Sequence, residues 1–204
     1  MGPSRAAVLR DLMTAFRRHF KVDCFVETGT YLGETANWAA GEFPQVFSIE
    51  ASPELHQQAT EKFQDRENLH LLLGSSSLVL KRLVPKAPSK VIYWLDAHWS
   101  DGNTFGEQCE CPLLDEIAAI GLRKHEAFIL IDDARLFLAP PPPPHKPAHW
   151  PDIAAVCKAL REKDDSRYIV VVEDVIVAVP AAAKDMMIEY CRKLTAAGSV
   201  AVAA

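Results

Sequence analysis

Four of the five short apolar runs in the first two-thirds of the chain end in acids. Glu27 closes Cys24-Phe25-Val26, Glu50 closes Val46-Phe47-Ser48-Ile49, Asp96 closes Val91 to Leu95, and Asp132-Asp133 closes Phe128 to Ile131. The remaining run, Leu69 to Leu73, passes into Gly74-Ser75-Ser76. Carboxylates gathered in one place attract cations, accept hydrogen bonds from hydroxyls, or ligate hard metal ions through oxygen. Two residues past Asp96 stands His98, a side chain whose proton exchanges near neutral pH. The first acid opens the stretch Glu27-Thr28-Gly29-Thr30-Tyr31-Leu32-Gly33-Glu34-Thr35. It reads as a strand entering a helix through a glycine turn, with unpaired backbone N–H groups at the helix start.

These acids meet only if the runs lie side by side. Each run is near-continuously apolar and too short for a helix, which is the pattern of a strand buried on both faces. Helical segments separate them. Ser52-Pro53-Glu54 offers an N-cap, a first-turn proline and an acid, followed by Leu55, Ala59 and Phe63 on one face. Pro112 and Pro151 open comparable segments, and Val8, Leu12, Phe16 and Phe20 form a stripe for a helix within residues 1–22 that packs on the rest. The pattern predicts one α/β domain over 1–204, with helices on both faces of a mostly parallel, Rossmann-like sheet of about seven strands. Tyr168 to Val172 and Val175 to Val179 are separated only by Glu173-Asp174, so the sheet should finish with an antiparallel pair, its terminal strand reversed. In such a sheet the carboxyl ends of the strands share one edge, where ligands bind.

The glycine turn is not a dinucleotide fingerprint, because Thr30 and Tyr31 stand where G-x-G-x-x-G needs another glycine. No G-x-x-x-x-G-K-[ST] occurs either. A carboxylate at Glu27 repels phosphate and suits an ammonium group, while Glu50 lies where an acid accepts hydrogen bonds from ribose hydroxyls. An amino acid joined to a nucleoside satisfies both.

With Glu27-Thr28-Gly29-Thr30-x-x-Gly33 after the first strand, Glu50-Ala51 after the second and Gly74-Ser75-Ser76 after the third, the sequence resembles the class I S-adenosylmethionine-dependent methyltransferases. The resemblance runs through nearly the whole strand order. It implies that Glu27, Thr28, Gly29, Thr30 and Gly33 hold the methionine moiety, Glu50 and Ala51 the ribose, and Gly74, Ser75 and Ser76 the adenine, with Asp96 beside the cofactor. Ser75 departs from the Asp that often follows the third-strand glycine. Asp96-Ala97-His98 and Ile131-Asp132-Asp133 look like the metal-binding positions of the Mg-dependent O-methyltransferases of sugars and natural products. That likeness implies Mg²⁺ or another divalent cation on Asp96, Asp132 and Asp133, lowering the pKa of an acceptor hydroxyl, with His98 as the base.

Each residue also has a plainer role. Asp132-Asp133 suits a turn after a strand, and His98 beside Trp99 suits a packed histidine. Cys109-Glu110-Cys111 lacks the second ligand pair of a zinc site. Arg135 and Phe137 follow the diacid and could touch substrate, although Phe137 more often packs; Tyr93, Trp94, Met186, Tyr190 and Leu194 read as core. The Pro140 to Pro147 stretch reads as a stiff connector which, with Ser100 to Cys111, could cover a ligand.

Acids outnumber bases 27 to 22 for a net charge of −5, which argues against nucleic acid or an anionic membrane as partner. A small-molecule acceptor fits the short loops, either alone or in a pocket completed by a second subunit of a homo-oligomer. The five cysteines form no even framework, and the charges in Met1 to Phe20 interrupt any signal-peptide core, so a cytoplasmic location is expected. Two rival readings stand: an inactive binding module on the same fold, and an NAD-dependent oxidoreductase, which the missing glycines disfavour.

Overall fold

The computed structural model describes residues 9–99 and 110–202. Val8 of the first stripe, Cys109 and most of the Ser100 to Cys111 loop lie outside the described residues. The described chain contains seven strands: β1 (Cys24–Thr28), β2 (Gln45–Glu50), β3 (Leu69–Leu73), β4 (Lys90–Leu95), β5 (Glu126–Ile131), β6 (Tyr168–Val172) and β7 (Val175–Val179). They form a single sheet in the order β3-β2-β1-β4-β5-β7-β6. The first five strands are mutually parallel, and β7 runs antiparallel to both neighbours. The reversed strand is thus last in sequence but not at the sheet edge: it lies between β5 and β6. Its tight turn is possible because Glu173 and Asp174 both take the left-handed conformation, at φ 51° and 63°.

The α-helices around the sheet are α1 (Arg10–Phe20), α2 (Glu34–Glu42), α3 (Pro53–Lys62), α4 (Ser76–Leu83), α5 (Leu113–Ile120), α6 (Arg135–Leu138), α7 (Ile153–Glu162) and α8 (Lys184–Val202). Two starts follow capping chemistry. Ser52 Oγ accepts the Leu55 N–H ahead of Pro53, and Asp152 Oδ1 accepts the Ala155 N–H at 2.8 Å. Alternation along the strands divides the core in two. Val91, Tyr93 and Leu95 of β4 pack with α4, α5 and α7, while Ile92 and Trp94 pack on the other face with α1, α2 and α8. Leu12 and Phe16 of α1 are fully buried there, beside Phe128. Among the described residues, no helix is long and apolar enough to cross a membrane.

Candidate functional site

At the carboxyl edge, β1 and β4 come together through a glycine. Gly29 has φ 84°, and a Cβ on it would lie 2.2 Å from the carbonyl oxygen of Asp96. The residue is therefore dictated by contact with the Asp96-Ala97 backbone, not by the turn alone. Gly33, at φ 73°, is similarly confined, because a Cβ there would lie 2.3 Å from the Phe63 ring. These two contacts bind the turn after β1 to the turn after β4 and to the end of α3. The Asp96 N–H also reaches back to the Thr28 carbonyl at 3.0 Å.

Around this turn the acids are held by uncharged donors. Glu27 is register partner of Ser48, whose hydroxyl donates to Glu27 Oε2; Thr30 Oγ1 lies 2.6 Å from Ser48 Oγ. Burial pushes the Glu27 carboxyl up to about 8, the Ser48 hydrogen bond opposing and the charges of Asp96 and Glu50 adding to the rise. Glu50, 6% exposed, accepts the Tyr31 N–H on Oε2 and the Ser52 N–H on Oε1, both at 2.9 Å. It thereby ties the turn after β1 to the turn after β2, and Tyr31 takes φ 47° to present its N–H. Ala51 is half-buried beside it. The Gly74 N–H donates to the Glu50 carbonyl at 2.8 Å, Ser75 precedes α4, and Ser76 is buried at its first position. The residues expected to hold methionine, ribose and adenine therefore do share one edge.

The ends of β4 and β5 are organised differently. His98 is buried, with Nε2 2.8 Å from Asp133 Oδ2 and 3.6 Å from Asp96 Oδ1. Burial disfavours the charged imidazole, but the Asp133 hydrogen bond and the charges of Asp96, Asp133 and Asp132 outweigh it and raise the ring to about 9. Burial also lifts Asp96 to about 7, despite the lowering effect of His98. Asp133 Oδ1 accepts from Arg135 Nη1, and the Asp133 N–H donates to Asp132 Oδ1 at 2.8 Å. Arg135, expected to touch substrate, joins Asp133 to Asp174.

As placed, the expected metal triad is a poor match to a divalent ion. Asp96, Asp132 and Asp133 do reach one edge, but both Asp133 oxygens already face a cationic side chain. Mg²⁺ demands oxygens at about 2.0–2.1 Å in near-octahedral array. No three His, Cys, Asp or Glu among the described residues could hold a metal ion. The residues as placed do not fit a divalent cation.

Three acids of the site were not singled out by sequence reasoning. Glu116 occupies an apolar position of α5, between Leu113 and Ile120, and is 1% exposed. Burial raises its carboxyl, partly offset by hydrogen bonds from Ser76 and Thr28, while Oε1 has no partner. It lines a cavity of about 10 Å³ with Leu95, Ala97, His98, Ile131 and Phe137, room for one water. A glutamate on the stripe Leu113, Ile117, Ile120 was the available signal. Glu110, fully buried, accepts the Lys146 N–H at 3.0 Å and the Trp150 indole N–H at 2.8 Å, with His145 and His149 beside it. Burial alone would raise Glu110, but these hydrogen bonds and neighbours bring it below the ordinary carboxylate value. It pins the end of the proline-rich stretch through Lys146, and Trp150, just beyond that stretch, packs 5.4 Å from His98. Asp174 carried only a turn signal.

No protein-family model matches the chain, and no curated protein matches it. Solved structures do. A Klebsiella pneumoniae protein assigned as an O-methyltransferase is 16% identical, with TM-score 0.54 over 86% of this chain and 81% of its own. The O-methyltransferase of Bacillus cereus, solved with S-adenosylhomocysteine, is 13% identical, with TM-score 0.54 over 88% and 82%. An rRNA methylase of Streptococcus thermophilus is 14% identical, with TM-score 0.52 over 88% and 98%. These proteins differ in what they methylate, so the shared feature is the sheet and its edge. With the strand order, the reversed β7 and the glycine turn after β1 all in place, the chain has the fold of the class I S-adenosylmethionine-dependent methyltransferases.

Proposed function

We propose that the chain transfers a methyl group from S-adenosylmethionine to a hydroxyl of a small molecule. The observation that carries this reading is the gathering of acids at the ends of β1, β2 and β4 of a methyltransferase fold, with Glu27 and Glu50 buried and held by hydroxyl and amide donors. The charges of Asp96 and Glu50 add to the cost of ionising Glu27. A ligand bearing positive charge relieves that repulsion. A nucleotide polyphosphate would increase it, which sets the NAD-dependent rival aside.

When bound, S-adenosylmethionine supplies an electrophilic methyl group on a sulfonium centre. Glu50, already oriented by two backbone amides, retains lone pairs for ribose hydroxyls. Glu27 lies near the end of β1, before the glycine turn, and an ammonium group bound there would favour ionisation of a carboxyl that burial otherwise holds up at about 8. The acceptor side falls to the ends of β4 and β5. As the acceptor oxygen forms its bond to the methyl carbon and the carbon–sulfur bond breaks, the hydroxyl proton must leave. His98, oriented by Asp133, is the group that takes it. Divalent-ion assistance, expected from the sequence, has no part in this reading.

Calorimetric titration with S-adenosylhomocysteine tests the cofactor clause, and transfer of a labelled methyl group to a panel of hydroxylated small molecules tests the acceptor clause. Binding at micromolar ligand with one site per chain is expected. No heat at about 1 mM ligand, a concentration reporting even a −4 kcal/mol interaction, overturns the reading.

A further inference from the structure

The ends of β4 and β5 carry the aspartates that the fold family would assign to a metal ion, yet two side-chain cations already stand among them. His98 Nε2 donates to Asp133 Oδ2, and Arg135 Nη1 donates to Asp133 Oδ1. Arg135 is itself fixed from the far side. The same Nη1 reaches Asp174 Oδ2 at 2.5 Å, and the Arg135 backbone N–H donates to Asp174 Oδ1 at 2.7 Å. The Ala134 N–H donates to the Asp174 carbonyl at 2.8 Å. Asp174 can present carboxylate and carbonyl together because it sits, left-handed, in the two-residue turn between β6 and β7. From Asp96 through His98, Asp133 and Arg135 to Asp174, acid and base alternate across the ends of β4, β5 and β7.

We propose that Arg135, clamped by Asp174, is a positioning residue that stands in place of a divalent cation: it neutralises Asp133 and fixes the carboxylate that orients His98, so the site takes no Mg²⁺. Guanidinium keeps its charge at every working pH, and here one of its nitrogens, Nη1, faces two carboxylates at once. An ion on Asp133 would have to displace it or sit against its charge. Asp133 has φ 56°, an uncommon backbone for a non-glycine residue, and the carboxylate held there has its two oxygens turned to two different cations. Removing Arg135 would leave the aspartates at this edge short of one positive charge, and a small dication then becomes the natural replacement. The effect on catalysis rests on the methyltransferase reading; the effect on ion binding does not.

The experiment measures Mn²⁺, as a paramagnetic probe for a Mg²⁺ site, on the full chain by electron paramagnetic resonance, with S-adenosylhomocysteine binding followed on the same samples. The wild type should leave Mn²⁺ free up to about 1 mM, the weak end of carboxylate ion sites. Arg135→Gln should bind it at least about tenfold more tightly, equivalent to about 1.4 kcal/mol. Asp174→Asn, which alters no residue at the ends of β4 and β5, should show the same gain at smaller amplitude. Where methyl transfer is measurable, Asp174→Asn should lower kcat and leave KM for the methyl donor unchanged, and Arg135→Lys should recover only part of kcat. Wild-type Mn²⁺ binding that Asp133→Asn abolishes would overturn the proposal. So would an Arg135→Gln protein that binds no more Mn²⁺ than the wild type, since Arg135 would then not be what keeps the ion out. Failure of S-adenosylhomocysteine binding with the Mn²⁺ pattern intact would count against the proposed function alone.

Discussion

The two halves of the carboxyl edge hold their acids by opposite means. At β1 and β2, Glu27 and Glu50 are held by a hydroxyl and by two backbone amides, none of which carries charge. At β4 and β5, Asp133 is held by a histidine and an arginine. Neutral donors orient a carboxylate and leave its field uncancelled; cationic ones cancel it. One half is therefore left open to a cationic ligand, whose charge would also favour ionising Glu27, and the other is balanced from within. The difference matters because sequence gives both halves the same appearance, an acid at the end of an apolar strand.

The contact that joins the halves is the most sensitive point. Gly29→Ala should cost on the order of 3 kcal/mol in urea denaturation, since the new methyl overlaps the Asp96 carbonyl and the backbone is left-handed. A loss below about 1 kcal/mol would mean that the turns after β1 and β4 do not touch as described. Glu50→Ala comes next. It removes the partner of two amides and the proposed ribose acceptor, and should weaken S-adenosylhomocysteine binding by about 10- to 100-fold. Asp133→Asn, in the balanced half, should leave that affinity within about twofold and act on turnover instead. Equal effects of the two substitutions on affinity would erase the contrast.

Titration separates the halves by pH window. Both Glu27 and His98 have folded-state values above their ordinary ones, so the native state binds more protons than the unfolded chain and stability falls as pH rises. For Glu27 the fall spans about 4.5 to about 8, and for His98 about 6.5 to about 9. Glu27→Gln should flatten the lower window and His98→Gln the upper, each by an amount on the order of 1–3 kcal/mol. If His98 takes the acceptor proton, turnover should climb with pH until about 9 and then level off. A profile already flat from about 6.5 would remove it from that role.

The smallest effect is expected at Glu116. Burial favours its neutral form, so Glu116→Gln, which keeps a neutral side chain there, should change stability by less than about 1 kcal/mol. A larger loss would show an ionised carboxylate facing the cavity beside His98, and the balance of that half would need redrawing.

Much of this edge was legible in the sequence because strand ends in a parallel sheet converge whatever the loops do. Glu27, Glu50, Asp96 and Asp133 were found that way. His98 and Arg135 were singled out too, but not their pairing, since His98 and Asp133 are 35 residues apart and Arg135 and Asp174 are 39 apart, brought together by turns whose geometry leaves no spacing signal. The placement of β7 was hidden for a related reason. Tyr168–Val172 and Val175–Val179 are alike in composition, and the two-residue turn says only that they pair, not which lies against β5. The structure gives the inner place to β7, whose five residues are all buried, and leaves β6 at the sheet edge.

A crystal structure grown with S-adenosylhomocysteine and Mn²⁺ together tests the contrast most directly. The ligand should lie along the ends of β1 to β3 with its ribose at Glu50, and the anomalous map should show no ion at Asp133, with Arg135 still bridging to Asp174. A ligand bound elsewhere, or an anomalous peak between Asp96 and Asp133 with Arg135 displaced, would contradict it.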